Sequence, residues 1–174
     1  MEIVKREKIY SGFLKFDNLT IKLDNGEKIQ REIITKRDGV AIVAVDSEGN
    51  IYLTKQPRIG SMESESIEIP AGILENETPV DAAKRELLEE TGCVTDEELI
   101  SLGSFFGDVA CCTSKTYLFL ALNVRKIEDL KLDDDEYLTS YKVNKEKVYK
   151  LIDNGTIKDA HSIIALLKSK KYLF

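Results

Sequence analysis

The sequence lacks the features that would place it at once in several broad classes. Its opening stretch, MEIVKREKIYSG, has no apolar core of signal-peptide length, and its apolar runs reach only the length of VAIVAV, Val40–Val45, far short of a bilayer span. A cytoplasmic protein without membrane association is the expectation. Low-complexity tracts and repeats of solenoid period are also missing, so neither a disordered chain nor an array is indicated. No basic stripe occurs. The 25 Lys and Arg residues are scattered among 31 Asp and Glu residues, for a net charge of -6 that would repel a nucleic-acid backbone. Nucleic-acid binding is thereby excluded as the main function. The cysteines are few: Cys93, Cys111 and Cys112 show no CxxC spacing, and their odd number argues against a closed disulfide framework. They read as reduced, buried thiols. The single histidine, His161, reads as a packed or surface residue of the last helix.

What is present is an ordinary globular composition. With 174 residues, 43% hydrophobic and 32% charged, the chain suits a single domain spanning 1–174. Its first third reads as a meander. The strands FLKF, LTIKL and KIQREIIT are separated by Asp17-Asn18 and by Asp24-Asn25-Gly26, whose Asn-Gly dipeptide favours a tight hairpin. Val40–Val45 then forms a strand covered on both faces, followed by a Ser-Glu-Gly-Asn turn and a strand over Ile51–Lys55.

From Thr78 the pattern turns helical. Thr78 suits an N-cap, Pro79 the first helical position, Asp81 the positive end of the dipole and Gly92 the stop, which predicts a helix over Pro79–Thr91. Lys115–Val124 reads as a core strand, and EYLTSYKV as another after an acidic turn at Asp133–Asp135. Two helices close the chain, NKEKVYKLIDNG and KDAHSIIALLKSKK, the latter with an apolar face at Ile163, Leu166 and Leu167. Strands, a helix, more strands and two helices predict an α/β sandwich with a mixed sheet.

The stretch EIPAGILENETPVDAAKRELLEETGC, Glu68 to Cys93, carries seven acidic residues. At 100° per residue Glu86 and Glu90 lie one turn apart on nearly one line, with Glu89 about 60° to the other side of Glu86. Val80, Ala83 and Leu87 form an apolar stripe beside them, so Glu86 and Glu90 should lie where the helix meets the core. Carboxylates crowded at such a rim repel one another and lose hydration, which a hard divalent cation corrects. The competing reading is a solvated face tied by pairs such as Arg85–Glu89. The preceding Pro-Ala-Gly turn favours the cation, because Gly72 lets the backbone approach the helix and present a carbonyl oxygen.

These residues resemble the signature box of the Nudix hydrolases, with the REL.EE.G pattern matched by Arg85, Glu86, Leu87, Glu89, Glu90 and Gly92. The wider chain is similar to the ADP-ribose pyrophosphatase branch in KQPR before the box, EIPAG leading into it, YLFLA after it and DNGTIKDAHSIIALL near the end. The resemblance implies a Nudix-type α/β/α sandwich with N-terminal strands over 1–36 as a dimerisation element and a catalytic core over 37–174. It implies hydrolysis of a nucleoside diphosphate linked to another group, ADP-ribose-like, with Mg2+ as cofactor and Mn2+ as a substitute. Glu86, Glu89 and Glu90 would be the metal-binding, catalytic glutamates and Ala71 would supply the turn carbonyl. Arg85 would pair with Glu77, and Arg58 and Glu68 would contact substrate. The base would be a box glutamate or a carboxylate of a nearby loop.

Two departures accompany the match. Ala71 stands where the box has glycine and Gly72 comes one residue late. In FFGDVACCTSKTYLFLA the branch would place a proline at Val109 and an acidic residue near Thr113 or Ser114, whereas Asp108 is the only carboxylate, read as a base or a solvated turn aspartate. The alternative function is therefore a catalytically impaired nucleotide-binding or regulatory module on the same fold.

Overall fold

The computed structural model describes residues 1–132 and 137–174, so the acidic turn expected at Asp133–Asp135 lies outside the described residues. The chain separates into two compact units, Met1–Asp38 with Phe105–Lys115, and Gly39–Ser104 with Thr116–Phe174.

The first unit is built on an antiparallel meander of β1 (Glu2–Ser11), β2 (Lys15–Lys22) and β3 (Lys28–Thr35). The meander was expected, but its register differs. Asp17-Asn18 makes no turn: β2 runs straight through it, and Asp17, Leu19 and Ile21 form its buried side at period two. The aspartate tolerates that position because Arg6 of β1 pairs with it across the strands. The turn at Asn25-Gly26 is present, with Gly26 at φ +87 and its N–H on the Leu23 carbonyl at 2.9 Å. The segment Phe105–Lys115 is tied to β3 by Ile34 N–H to Cys111 O at 2.7 Å and Thr113 N–H to Ile34 O at 3.1 Å.

The second unit holds a mixed sheet. Its β4 (Gly39–Ala44) pairs parallel with β10 (Lys115–Ala121) and antiparallel with β7 (Ala71–Ile73), and β9 (Ile100–Phe106) follows β10. A second sheet sets β5 (Asn50–Arg58) between β6 (Glu63–Glu68) and β12 (Thr139–Asn144), and β8 (Cys93–Val94) pairs with β11 (Arg125–Lys126). Among the described residues, three α-helices complete it: α1 (Pro79–Thr91), α2 (Lys145–Asp153) and α3 (Ala160–Leu173).

Both α1 and α3 pack on β4. Val40, Ile42 and Ala44 join Ala82, Ala83 and Leu87 of α1 in one cluster, so the pleat turns the buried Ala41 and Val43 to the opposite face, toward α3. This is the three-layer α/β arrangement expected, and it explains why Val40–Val45 reads as apolar throughout. Two positions depart from the expected helix faces. Val80 is exposed and Ala82 takes its place, because Val80 lies in the first turn before α1 reaches the sheet; Leu167 is exposed while Ala165 and Leu166 are enclosed.

Leu87→Ala should lower unfolding free energy by about 2–5 kcal/mol in urea titration, since it removes a fully enclosed side chain. Leu167→Ala should change it by less than about 0.5 kcal/mol.

Candidate active site

Helix α1 is set by local chemistry. Thr78 Oγ1 accepts the Asp81 N–H at 3.2 Å and donates to Asp81 Oδ2 at 2.6 Å, Pro79 opens the first turn, and Gly92 at φ +70 closes the last one on the Leu88 carbonyl. The register so fixed buries Glu86 and Glu90, at 7% and 3% exposure, while the Glu89 side chain remains 36% exposed. Burial of two carboxylates one turn apart requires strong polar surroundings.

Those surroundings come from the crossing Glu68–Ala71, where the chain leaves one sheet for the other. Four backbone groups there each find a different element. The Glu68 carbonyl accepts from Thr54 Oγ1 of β5 at 3.4 Å, and the Ile69 N–H donates to Ser162 Oγ of α3 at 2.9 Å. The Pro70 carbonyl accepts the Ile42 N–H of β4 at 2.9 Å, and the Ala71 N–H donates to Glu90 Oε2 of α1 at 2.9 Å. Because Pro70 opposite Ile42 is a bonded position, Ala71 opposite Ala41 is a non-bonded one. Its N–H and C=O both face away from β4, so the Ala71 carbonyl opens on the edge that carries Glu90. Gly72 follows, and a Cβ there would overlap the Glu86 carboxylate. The residue after Ala71 must therefore be glycine for loop and helix to meet.

Arg85 braces this row. Its Nε and Nη2 donate to Glu77 Oε1 at 3.1 and 2.8 Å, Nη2 also to the Ile73 carbonyl at 3.1 Å, and Nη1 to Glu86 Oε1 and Glu89 Oε2, both at 2.8 Å. Burial works against its charge, but Glu77, Glu86 and Glu89 outweigh that and hold the guanidinium more firmly protonated than usual. Nearby, Arg58 forms a fork on Glu68, Nε to Oε1 at 2.9 Å and Nη2 to Oε2 at 2.6 Å, joined by Gln56 Nε2 at 3.3 Å. Glu68 is 5% exposed, whereas the Arg58 side chain is 46% exposed and its Nη1 bonds to none of the described residues. Hydrogen bonding to Glu68 first, then the fields of Glu68, Glu90 and Asp159, raise the Arg58 pKa against its desolvation.

Five carboxylates, Glu68, Glu77, Glu86, Glu89 and Glu90, face two guanidinium groups, Arg58 and Arg85, which leaves three negative charges when all are ionised. Among the described residues no three acidic, His or Cys side chains close into a cage. The donor set is instead an open, oxygen-only row with a backbone carbonyl beside it. It fits a hard divalent cation of the kind that keeps several waters and shares phosphate oxygens with its substrate.

A model of the NUDIX domain matches residues 35–165 of this chain. The chain belongs to the Nudix family. It is 34% identical over 168 residues to the ADP-ribose pyrophosphatase of Bacillus subtilis, covering 94% of this chain and 89% of that one. It is 33% identical to the methanol dehydrogenase activator of Bacillus methanolicus at the same coverage, and 27% identical to the GDP-mannose pyrophosphatase of an Enterobacter species, over 95% of this chain and 93% of that one. The crystal structure of an ADP compounds hydrolase superposes with a TM-score of 0.86, covering 99% of this chain and 93% of that one at 22% identity, a likeness of fold.

The protein is thus a Nudix hydrolase, and its Nudix box is the loop and helix just described. The structure brings together Ala71, Glu86, Glu89 and Glu90, and sets Arg58 and Glu68 beside each other as a fork. Sequence reading left out Asp159 and Ser162. Asp159 caps α3, its Oδ2 accepting Ser162 N–H and Oγ–H at 2.8 and 2.7 Å and its Oδ1 lying 3.0 Å from His161 Nδ1. The Asp-x-x-Ser spacing marks a helix cap in the sequence, but nothing local ties that cap to Ile69. In the first unit, Asp108 accepts the Ala110 N–H at 2.9 Å and a bond from the Cys111 thiol at 3.1 Å, the contacts of a turn aspartate. All three cysteines are free; Cys93 is buried, while Cys111 and Cys112 are only half-buried.

Gly72→Ala should displace Glu86 and weaken Mn2+ binding by about tenfold or more, read by electron paramagnetic resonance on protein with native circular dichroism. Asp159 yields a pH prediction. Burial pushes its carboxyl up, but His161 and Ser162 outweigh this and hold it below the ordinary value of about 3.9. Its ionised form therefore stabilises the fold above that unfolded value, and the contribution is lost as pH falls through the lower folded value. In urea titrations Asp159→Asn should be less stable than wild type at pH 7, with the gap closing below about pH 4.

Proposed function

We propose that this Nudix hydrolase cleaves the pyrophosphate bond of a nucleoside diphosphate linked to another group, with ADP-ribose as its foremost substrate. The carrying observation is the buried row Glu86–Glu90 lying against the Ala71–Gly72 backbone, with the Arg58 fork beside it. The similarity to pyrophosphatases of ADP-ribose and GDP-mannose over nearly the whole chain supports the substrate class.

The roles follow from the groups. Glu86, Glu89 and Glu90, with the Ala71 carbonyl, would hold a divalent metal, Mg2+ by the hardness of its oxygen donors, with Mn2+ as a substitute. When bound, the metal supplies charge neutralisation at the phosphate oxygens and a more acidic water. Arg85 bridges Glu86 and Glu89 through Nη1 and ties them to Glu77. Arg58 offers Nη1 to a phosphate oxygen while Glu68 orients its plane, so the pair reads as the substrate contact. Water attacks phosphorus, the bridging P–O bond breaks, and ADP-ribose would yield AMP and ribose 5-phosphate. A carboxylate of the row takes the proton; Glu89, the member that reaches solvent, can release it.

A homodimer through the N-terminal strands accords with β1, an edge strand exposed along all ten residues and carrying Ile3, Val4, Ile9 and Tyr10 outward. A cytoplasmic location accords with three unpaired cysteines and, among the described residues, with no helix long and apolar enough to cross a membrane.

Incubation with Mg2+ and a panel of ADP-ribose, GDP-mannose and dinucleotides should release phosphate monoesters, fastest from ADP-ribose. Tight binding of ADP-ribose in calorimetry with no product would instead establish the impaired binding module. Glu90→Gln should lower kcat by about 10²-fold or more with the fold retained. Light scattering should give twice the chain mass, and Ile3→Glu with Ile9→Glu should give a monomer.

A further inference from the structure

The crossing Glu68–Ala71 borders both halves of the candidate site: Glu68, which orients Arg58, and Ala71, which bonds Glu90. Between them the Ile69 N–H has no ladder partner, because the pairing of β6 with β5 ends at Thr54 opposite Glu68. It is met by a side chain from a distant part of the chain. Ser162 is fully buried, and its Oγ accepts the Ile69 N–H at 2.9 Å. The same hydroxyl donates its proton to Asp159 Oδ2 at 2.7 Å, which leaves its lone pairs to accept from Ile69. Asp159 is itself held, by the Ser162 N–H at 2.8 Å and by His161 at 3.0 Å. Donation runs from Ile69 to Ser162 to Asp159, so the terminal carboxylate sets the direction of each bond.

We propose that Ser162 is a positioning residue for the hydrolytic site: through Ile69 it fixes the crossing that links Glu68 to Ala71, and so sets where Arg58 and the Ala71–Glu90 pair stand relative to each other. This rests on the reading of the Glu86–Glu90 row as a metal site. The alternatives available to the crossing are few. Pro70 has no N–H to donate, and Ile69 is enclosed, so without the hydroxyl one buried donor is stranded and the segment must shift to find water. A shift of the backbone at Ile69 moves the residues on either side together. Helix α3, which contributes nothing that touches phosphate in this reading, thereby governs the geometry of the groups that do.

The test compares Ser162→Ala, Ser162→Thr and Asp159→Ala with wild type in ADP-ribose hydrolysis with Mg2+, in Mn2+ binding by electron paramagnetic resonance, and in thermal midpoint. Ser162→Ala should lower kcat and Mn2+ affinity about tenfold at a temperature where it is fully folded, the range seen when a group behind a metal ligand is removed. Ser162→Thr, which keeps the hydroxyl, should restore both to within about threefold. Asp159→Ala, which frees the hydroxyl to rotate, should fall between them. A folded Ser162→Ala protein with wild-type kcat and Mn2+ affinity, changed only in thermal midpoint, would overturn the inference. Should Ser162→Ala fail to fold, Asp159→Ala decides: unchanged kcat and Mn2+ affinity overturn it, and a loss in both supports it. If wild type cleaves no member of the panel while Ser162→Ala still weakens Mn2+ binding, the substrate reading falls and the positioning role stands.

Discussion

The transfer of the chain from one sheet to the other at Glu68–Ala71 is the constraint on which the site depends. A buried crossing between sheets has no ladder to satisfy its backbone, so its polar groups must be met one by one. Here β5, α3, β4 and α1 each meet one of them. The consequence is a short segment whose position is over-determined by four elements. The carboxylate that accepts from it, Glu90, is at once a structural partner and a member of the acidic row. Such sharing makes the site rigid without a dedicated scaffold, because the same bonds that hold the two sheets together place the reactive groups.

Electrostatics complete what the crossing begins. A chain with net charge -6 must act on an anion, and its site has surplus negative charge of its own. Arg85 uses all five of its N–H donors on Glu77, Glu86, Glu89 and the Ile73 carbonyl, which keeps the acidic row ordered but leaves it under-neutralised. Arg58 is occupied on the side of Glu68, and its Nη1 bonds to none of the described residues. The two arginines therefore differ by their partners: one organises carboxylates, and the other would, in the proposed function, meet a phosphate. In the proposed function, hard cations would reconcile the remainder and turn a repelling edge into one that attracts the substrate.

The relatives are similar along almost the entire chain, yet they carry different names: pyrophosphatases of two nucleotide sugars or sugar-like nucleotides, and an enzyme activator. The departures in this chain, Ala71 with Gly72 behind it and the segment Phe105–Lys115, fall outside the carboxylate row. At the first, the Ala71 N–H donates to Glu90 and Gly72 supplies the close approach to Glu86.

What the sequence alone determined is what short-range chemistry decides. Helix α1 was legible to the residue because its cap, its proline and its terminal glycine act within one turn, and the burial of Glu86 and Glu90 followed from helical period and the neighbouring Leu87. The apolar strand β4 was legible because both its faces are covered. Elsewhere local signals misled: Asp17-Asn18 resembles a turn until Arg6 is laid across it, and Val80 and Leu167 belong to helical faces that the sheet does not reach. Only the tertiary structure decided that Glu68 is held by Arg58, that Ile69 is met by a serine 93 residues away, and that Ala71 turns toward Glu90. Those contacts join elements whose meeting depends on how α1 and α3 pack against the sheets, and no spacing along the chain encodes that packing.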